Sequence, residues 1–106
     1  MPRYLIIASY TAAGEQGLLA KGGTARRASV TEMVEKLGGK VETFDFAFGE
    51  DDVFVVCDLP ANVTAASVGL TVGASGLVAV RTVVLLTPEE IDAAARMHPD
   101  YRGPGE

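Results

Sequence analysis

Apolar residues along this chain fall into four short runs that alternate with polar residues or run continuously, as β-strands do. The runs cover residues 3–10, 40–48, 53–59 and 76–86. Only Gly49, Glu50, Asp51 and Asp52 separate the second run from the third. Glycine and aspartate tolerate the positive φ that a tight turn requires, so these two runs are predicted to form an antiparallel hairpin.

Apolar residues at helical spacing lie between the other strands. Residues 25–37 place an apolar stripe at i, i+3, i+4 and i+7, which predicts a helix with Thr24 as its N-cap and Gly38 just beyond its end. A second helix is predicted over residues 63–75, with Asn62 as N-cap. A short helical turn is expected after Gly14. Thr87 begins a capping-box motif that opens a final helix ending near residue 97.

The predicted order β-α-β-β-α-β, with a C-terminal helix added, is that of the ferredoxin-like split βαβ fold. This α+β fold has a four-stranded antiparallel sheet with its helices on one face. We expect a single domain over residues 1–97 and a polar C-terminal tail over residues 98–106. The strands carry apolar residues on both faces, so the face without helices is expected to be covered by a second copy of the chain, in a homodimer or a larger symmetric oligomer.

Composition narrows the classes of partner. Nine Lys and Arg residues against 14 Asp and Glu give a formal net charge of −5. Nucleic acid and anionic membranes are therefore poor partners. One cysteine, Cys57, allows no internal disulfide, and no apolar run is long enough for a membrane span or a signal peptide. A cytoplasmic location is expected.

The predicted topology brings several polar residues to one end of the sheet. Tyr10 and Thr11 end the first strand, Gly49 and Asp52 bound the hairpin turn, and the fourth strand begins nearby. Asp52 is the candidate catalytic residue, as a general base or a ligand-orienting carboxylate. The alternative, which we favour, is a structural carboxylate that accepts backbone N–H bonds. Tyr4 shares the strand face of Tyr10, so both are candidates for lining a cavity, although core packing is the simpler role.

Four further charged residues also need an interpretation. Arg81 lies inside an apolar strand, where an unpaired charge is costly. It either holds an anionic group of a ligand or pairs with Asp45 or Asp58 across a subunit interface. Asp51 is expected to be a solvated residue at the tip of the hairpin, and so is its neighbour Glu50. Lys21 could also reach this end of the sheet, but an ordinary surface lysine is the simpler interpretation.

The motifs taken in order resemble the GYD domain family. They cover nearly the whole chain, from about residue 4 to residue 95, and their order is more specific than any one of them. They are Tyr10-Thr11 followed by Gly14, Leu37-Gly38-Gly39-Lys40-Val41, Phe48-Gly49-Glu50-Asp51-Asp52, Pro60 with Ala65-Ala66, Gly76 with Val80-Arg81-Thr82, and Thr87-Pro88-Glu89-Glu90. Asp51 stands where the resemblance implies a tyrosine, so ring stacking or phenolic chemistry does not carry over. The resemblance implies a protein of the dimeric α+β barrel type and no settled activity.

Three functions follow as hypotheses. The leading one is a homo-oligomer that binds an apolar or weakly anionic small molecule, with Tyr4, Tyr10, Thr11, Gly49, Asp52 and Arg81 as candidate ligand-binding residues. The second is a cofactor-independent isomerase, lyase or oxygenase, by analogy with dimeric α+β barrels. The third is a structural or regulatory subunit. No metal site and no cofactor are expected, because no phosphate-binding glycine loop occurs and His98 is the only histidine. Cys57 is expected to be a buried packing residue.

Overall fold

A computed structural model describes all 106 residues and confirms the α+β class. The elements in chain order are β1 (Arg3–Tyr10), α1 (Ala12–Lys21), α2 (Gly23–Lys36), β2 (Lys40–Phe46), β3 (Val53–Asp58), α3 (Asn62–Ala74), β4 (Val78–Leu85) and α4 (Pro88–Ala95). The four strands form one sheet in the order β2-β3-β1-β4, and every neighbouring pair is antiparallel. This order is consistent with a ferredoxin-like fold.

The core lies between the sheet and the helices. Residues at even positions of β1 face it, and they pair with odd positions of β3; Tyr4, for example, lies opposite Cys57. Val34 of α2 and Val68 of α3 cover this face. Tyr4 is fully buried, and its hydroxyl donates to Asn62 Oδ1 at 2.6 Å, so its polar end is satisfied inside the core.

Cys57 is part of the same core and is a free thiol, as its place in an apolar strand predicts. Burial disfavours the thiolate and raises the pKa of Cys57 to about 11. At neutral pH the thiol therefore stays protonated, which makes it a packing residue and a poor nucleophile.

The opposite face of the sheet has no helix on it, and we call it the open face. Its apolar residues are Leu5, Ile7, Phe54, Val56, Val83 and Leu85. Ile7 is buried, whereas most of the others are half-buried and Val83 is 41% exposed. An apolar centre of this kind on a sheet is uncommon in a face that meets only water.

The ends of three helices differ from the sequence prediction. A complete ten-residue helix, α1, replaces the expected short turn. Helix α2 begins at Gly23 after Gly22, whose φ of 85° lets the chain turn directly from one helix into the next, so Thr24 lies inside the helix and is not the N-cap. Ala61 precedes α3 as its N-cap, whereas Asn62 is the first residue of the helix and its side chain accepts the hydrogen bond from Tyr4.

Helix α4 follows the prediction closely. Thr87 Oγ1 accepts from the Glu90 N–H, and the Glu90 carboxylate accepts from the Thr87 N–H, which completes the capping box. The helix has no buried residue, and Ile91 is 52% exposed. None of the helices in the protein has both the length and the apolar character needed to cross a bilayer.

Candidate functional site

One end of the sheet is held together by a set of backbone and side-chain hydrogen bonds. The Thr11 N–H donates to the Leu77 carbonyl at 3.0 Å, and the Thr11 hydroxyl donates to the Gly76 carbonyl at 2.9 Å. Thr11 Oγ1 also accepts from the Gly14 N–H and so caps α1. The end of β1, the start of α1 and the start of β4 therefore meet as the topology predicts. Gly49, by contrast, is exposed in the hairpin connection.

Asp52 ties the hairpin to the same end of the sheet. Its carboxylate accepts from the Tyr10 N–H at 2.8 Å, and its own N–H donates to the Ala8 carbonyl at 2.9 Å. The Asp52 carbonyl accepts from the Ala47 N–H. These contacts agree with the structural alternative for Asp52, in which the carboxylate satisfies a backbone donor.

Removal of the Asp52 carboxylate should therefore cost stability. Asp52→Ala is expected to lower the free energy of unfolding by about 2 kcal/mol, because it deletes a charge-assisted bond and leaves the Tyr10 N–H without its acceptor. Asp52→Asn keeps an oxygen acceptor and should lose about half as much. Urea denaturation followed by circular dichroism measures both.

Glu50→Ala is the matched control, because Glu50 lies exposed in the same connection. It should change the free energy of unfolding by less than about 0.5 kcal/mol. If Asp52→Asn left stability intact but removed binding of a ligand, Asp52 would be a functional acid and the structural role would be wrong.

The neighbouring Asp51 is not the solvated tip that the sequence suggests. Its carboxylate accepts from the Ser9 hydroxyl at 3.0 Å and from Arg81 Nη2 at 2.9 Å, and its side chain is only 19% exposed. The partner of Arg81 is thus Asp51 of the same chain, where Asp45 or Asp58 across an interface was expected. The hairpin connection turns Asp51 onto the open face, so that it reaches over β1 to β4.

A large concavity lies on the other side of the sheet, between α1, α2 and the C-terminal half of α3. We call it the helix-side cleft. Its volume is about 560 Å³, within the range that small-molecule sites occupy. The residues that line it are Tyr10, Gly14, Gly17, Leu18, Lys21, Gly22, Ala25, Arg26, Ser29, Thr71, Val72, Ser75, Leu77 and Val78.

Two cationic residues, Lys21 and Arg26, line the helix-side cleft, and no acidic residue lines it. The Arg26 guanidinium carbon lies 5.9 Å from the centre of the Tyr10 ring, within the range of a cation–π contact. Arg26 Nε is shielded from solvent and has no hydrogen-bond partner. Lys21 lies in the last turn of α1.

Arg26 was not predicted as a site residue, although the sequence holds a partial signal for it that its neighbour Arg27 shares. Arg26 precedes Val30 by four residues and Met33 by seven, so it shares the apolar stripe of α2. A charged residue on such a stripe needs a partner or an opening. In the structure that opening is the helix-side cleft.

The residues predicted for a site, other than the exposed Gly49, are divided among four places. Of these candidate residues, only Tyr10 lines the helix-side cleft. Thr11 and Asp52 hold the end of the sheet together, and Tyr4 is buried in the core. Arg81 lies on the open face with Asp51. Asp52 and Arg81 thus have separate surroundings, and neither borders the cleft.

Comparison with known proteins gives one match. The model of the GYD domain family matches residues 4–95. No curated protein and no solved structure matches the chain. Within the structure, no three His, Cys, Asp or Glu side chains lie close enough together to hold a metal ion.

Proposed function

This chain belongs to the GYD domain family, and we propose that it is a cytoplasmic homodimer that binds an apolar or weakly anionic small molecule in the helix-side cleft. The observation that carries the proposal is the cleft itself. It is concave and of suitable volume, and it combines apolar walls with a few polar groups, as ligand sites in proteins do. A buried free thiol suits a reducing compartment.

The walls of the cleft support binding of an apolar body. Tyr10 and Leu18 contribute large apolar surfaces, and Val72 and Val78 continue the wall toward the core. The end of β1, helices α1 and α3 and the start of β4 hold these side chains, so the site is largely formed before any ligand arrives. A preformed site loses less conformational entropy on binding.

The most direct test is a substitution that fills the cleft with a large side chain. Gly17 lines it, and a Cβ placed there would enter open space. Gly17→Trp should therefore fold but weaken ligand binding at least about tenfold by occupying the volume. The wild-type protein, purified under native conditions, should retain a small molecule in native mass spectrometry or bind members of a fragment mixture in ligand-observed NMR.

Gly69→Trp is the control, since Gly69 is also a helical glycine with free space around it but does not line the cleft. It should bind as the wild type does. Binding that survives in Gly17→Trp, or a wild-type protein that takes up no small molecule from either source, would contradict the proposal.

The homodimer is supported by the open face. Its apolar centre is bordered by charges of both signs, an arrangement that can complement itself about a two-fold axis. Asp51 already neutralises Arg81 within the chain, so that charge needs no partner from a second copy. Burial of this face against itself would remove its apolar side chains from water.

A further inference from the structure

We propose that the ligand of the helix-side cleft is a small organic monocarboxylate, held through its carboxylate by Arg26 with Lys21 nearby. This inference rests on the proposed function and adds to it the chemical class of the ligand and the residue that recognises it. The two cations are the only charged residues among those that line the cleft. In a chain with a net charge of −5, a concave surface with only positive charges is selective for anions.

Arg26 has the geometry of a recognition residue. The Tyr10 ring lies against its guanidinium group, and Arg26 forms no ion pair with any carboxylate of the protein. Its Nε is buried without an acceptor, which leaves a polar donor unsatisfied inside the protein. A carboxylate in the cleft would accept from the two Nη groups of the guanidinium, in a bidentate pair of the kind that arginine favours.

Lys21 adds a second positive charge of a different kind. It is exposed at the end of α1 and has no ion-pair partner. Its ammonium group is a mobile point charge, so it strengthens the attraction of an anion without fixing its orientation. Arg26 is therefore the residue that orients the ligand, and its mutation should weaken ligand binding more than mutation of Lys21.

The surroundings favour a singly charged ligand with an apolar body. A small void of about 40 Å³ lies deeper, and Tyr10, Arg26, Val72 and Val78 line both it and the cleft. The void is walled almost entirely by hydrophobic side chains, so it accepts a methyl or methylene group and not a second charge. The net charge of −5 disfavours polyanions.

The test compares acids with neutral compounds of the same shape. Phenylacetate and hexanoate are each titrated against their amides, phenylacetamide and hexanamide, by calorimetry or ligand-observed NMR at constant ionic strength. Wild-type protein should bind the acid at least about tenfold more tightly than the amide. Arg26→Met should weaken acid binding about tenfold or more and remove the preference for the acid.

Arg27→Met is the matched control. It removes the same charge from the adjacent position, which is exposed and does not line the cleft, and should keep the preference. Arg26→Lys keeps the charge but not the planar fork, and should recover only part of the affinity. Thermal unfolding of each variant confirms that it is folded.

Several outcomes would overturn the inference. If the amides bound as tightly as the acids, or if Arg27→Met lost as much affinity as Arg26→Met, Arg26 would have no role in recognising the carboxylate. If Gly17→Trp still blocked that binding, the cleft would remain a ligand site. Inorganic phosphate that competes as well as the acids would assign the site to a phosphate ligand. If no acid bound, the carboxylate class would also be rejected. A neutral molecule that co-purified with the protein would still support the proposed function.

Discussion

Gly14→Ala is expected to lower the free energy of unfolding by about 3 kcal/mol, even though alanine is the better helix former. Gly14 lies in the first turn of α1, where a Cβ would overlap the carbonyl oxygen of Leu77 and come within 3.1 Å of Tyr10 Cδ1. The Leu77 carbonyl cannot simply move away, because it accepts the hydrogen bond from the Thr11 N–H. Either α1 must shift or that bond must break.

Gly17→Ala, one turn further along the same helix, isolates this effect. A Cβ at Gly17 meets no other atom, so the change should raise the free energy of unfolding by about 0.5–1 kcal/mol through helix propensity alone. Urea denaturation of both variants should therefore give shifts of opposite sign. If both stabilised the protein, α1 and the start of β4 would not be packed as closely as the structure has them.

Local patterns were sufficient to predict most of the fold. The apolar runs of β1 and β3, the hairpin turn and the capping box of α4 each depend on residues close together in the chain, and each was predicted where it occurs. Helix α1 was underestimated because Gly14 and Gly17 lower its helix propensity. Its first turn lies close to Leu77, a tertiary contact that helix propensity does not include.

Local sequence patterns do not predict the helix-side cleft. Arg26 and Arg27 precede Val30 by four and three residues, so both lie beside the apolar stripe of α2 and the sequence does not separate them. The separation comes from packing, because α1 and α3 close around Arg26 and leave Arg27 outside. A site formed by side chains from three helices has no spacing that marks it in the sequence.

The pair between Asp51 and Arg81 was missed for a similar reason. The two residues are 30 positions apart in the chain. They can meet because only one strand, β1, lies between β3, which follows the hairpin connection, and β4, which carries Arg81. A residue in the hairpin connection is exposed by default. Its contact with Arg81 depends on which way the connection folds over the sheet, and the turn residues alone do not determine that direction.

Val56→Glu is expected to convert the proposed homodimer into a monomer. Val56 pairs with Leu5 of β1 and Thr43 of β2, so it lies near the middle of the open face. In a two-fold interface the substitution buries two carboxylates without partners, at a cost of several kcal/mol each. The dimer dissociation constant should rise at least about a thousandfold, as measured by sedimentation velocity over a wide range of protein concentrations.

Val63→Glu is the matched control for this change. Val63 is 79% exposed in the first turn of α3, where a negative charge is favourable, so this variant should remain dimeric. Val56 is half-buried in the single chain, and Val56→Glu should lower the free energy of unfolding of the monomer by only about 1 kcal/mol. Loss of the dimer in a folded Val56→Glu protein would then identify the open face as the interface. A wild-type protein that stays monomeric at every concentration, or equal dissociation in both variants, would contradict the proposed dimer.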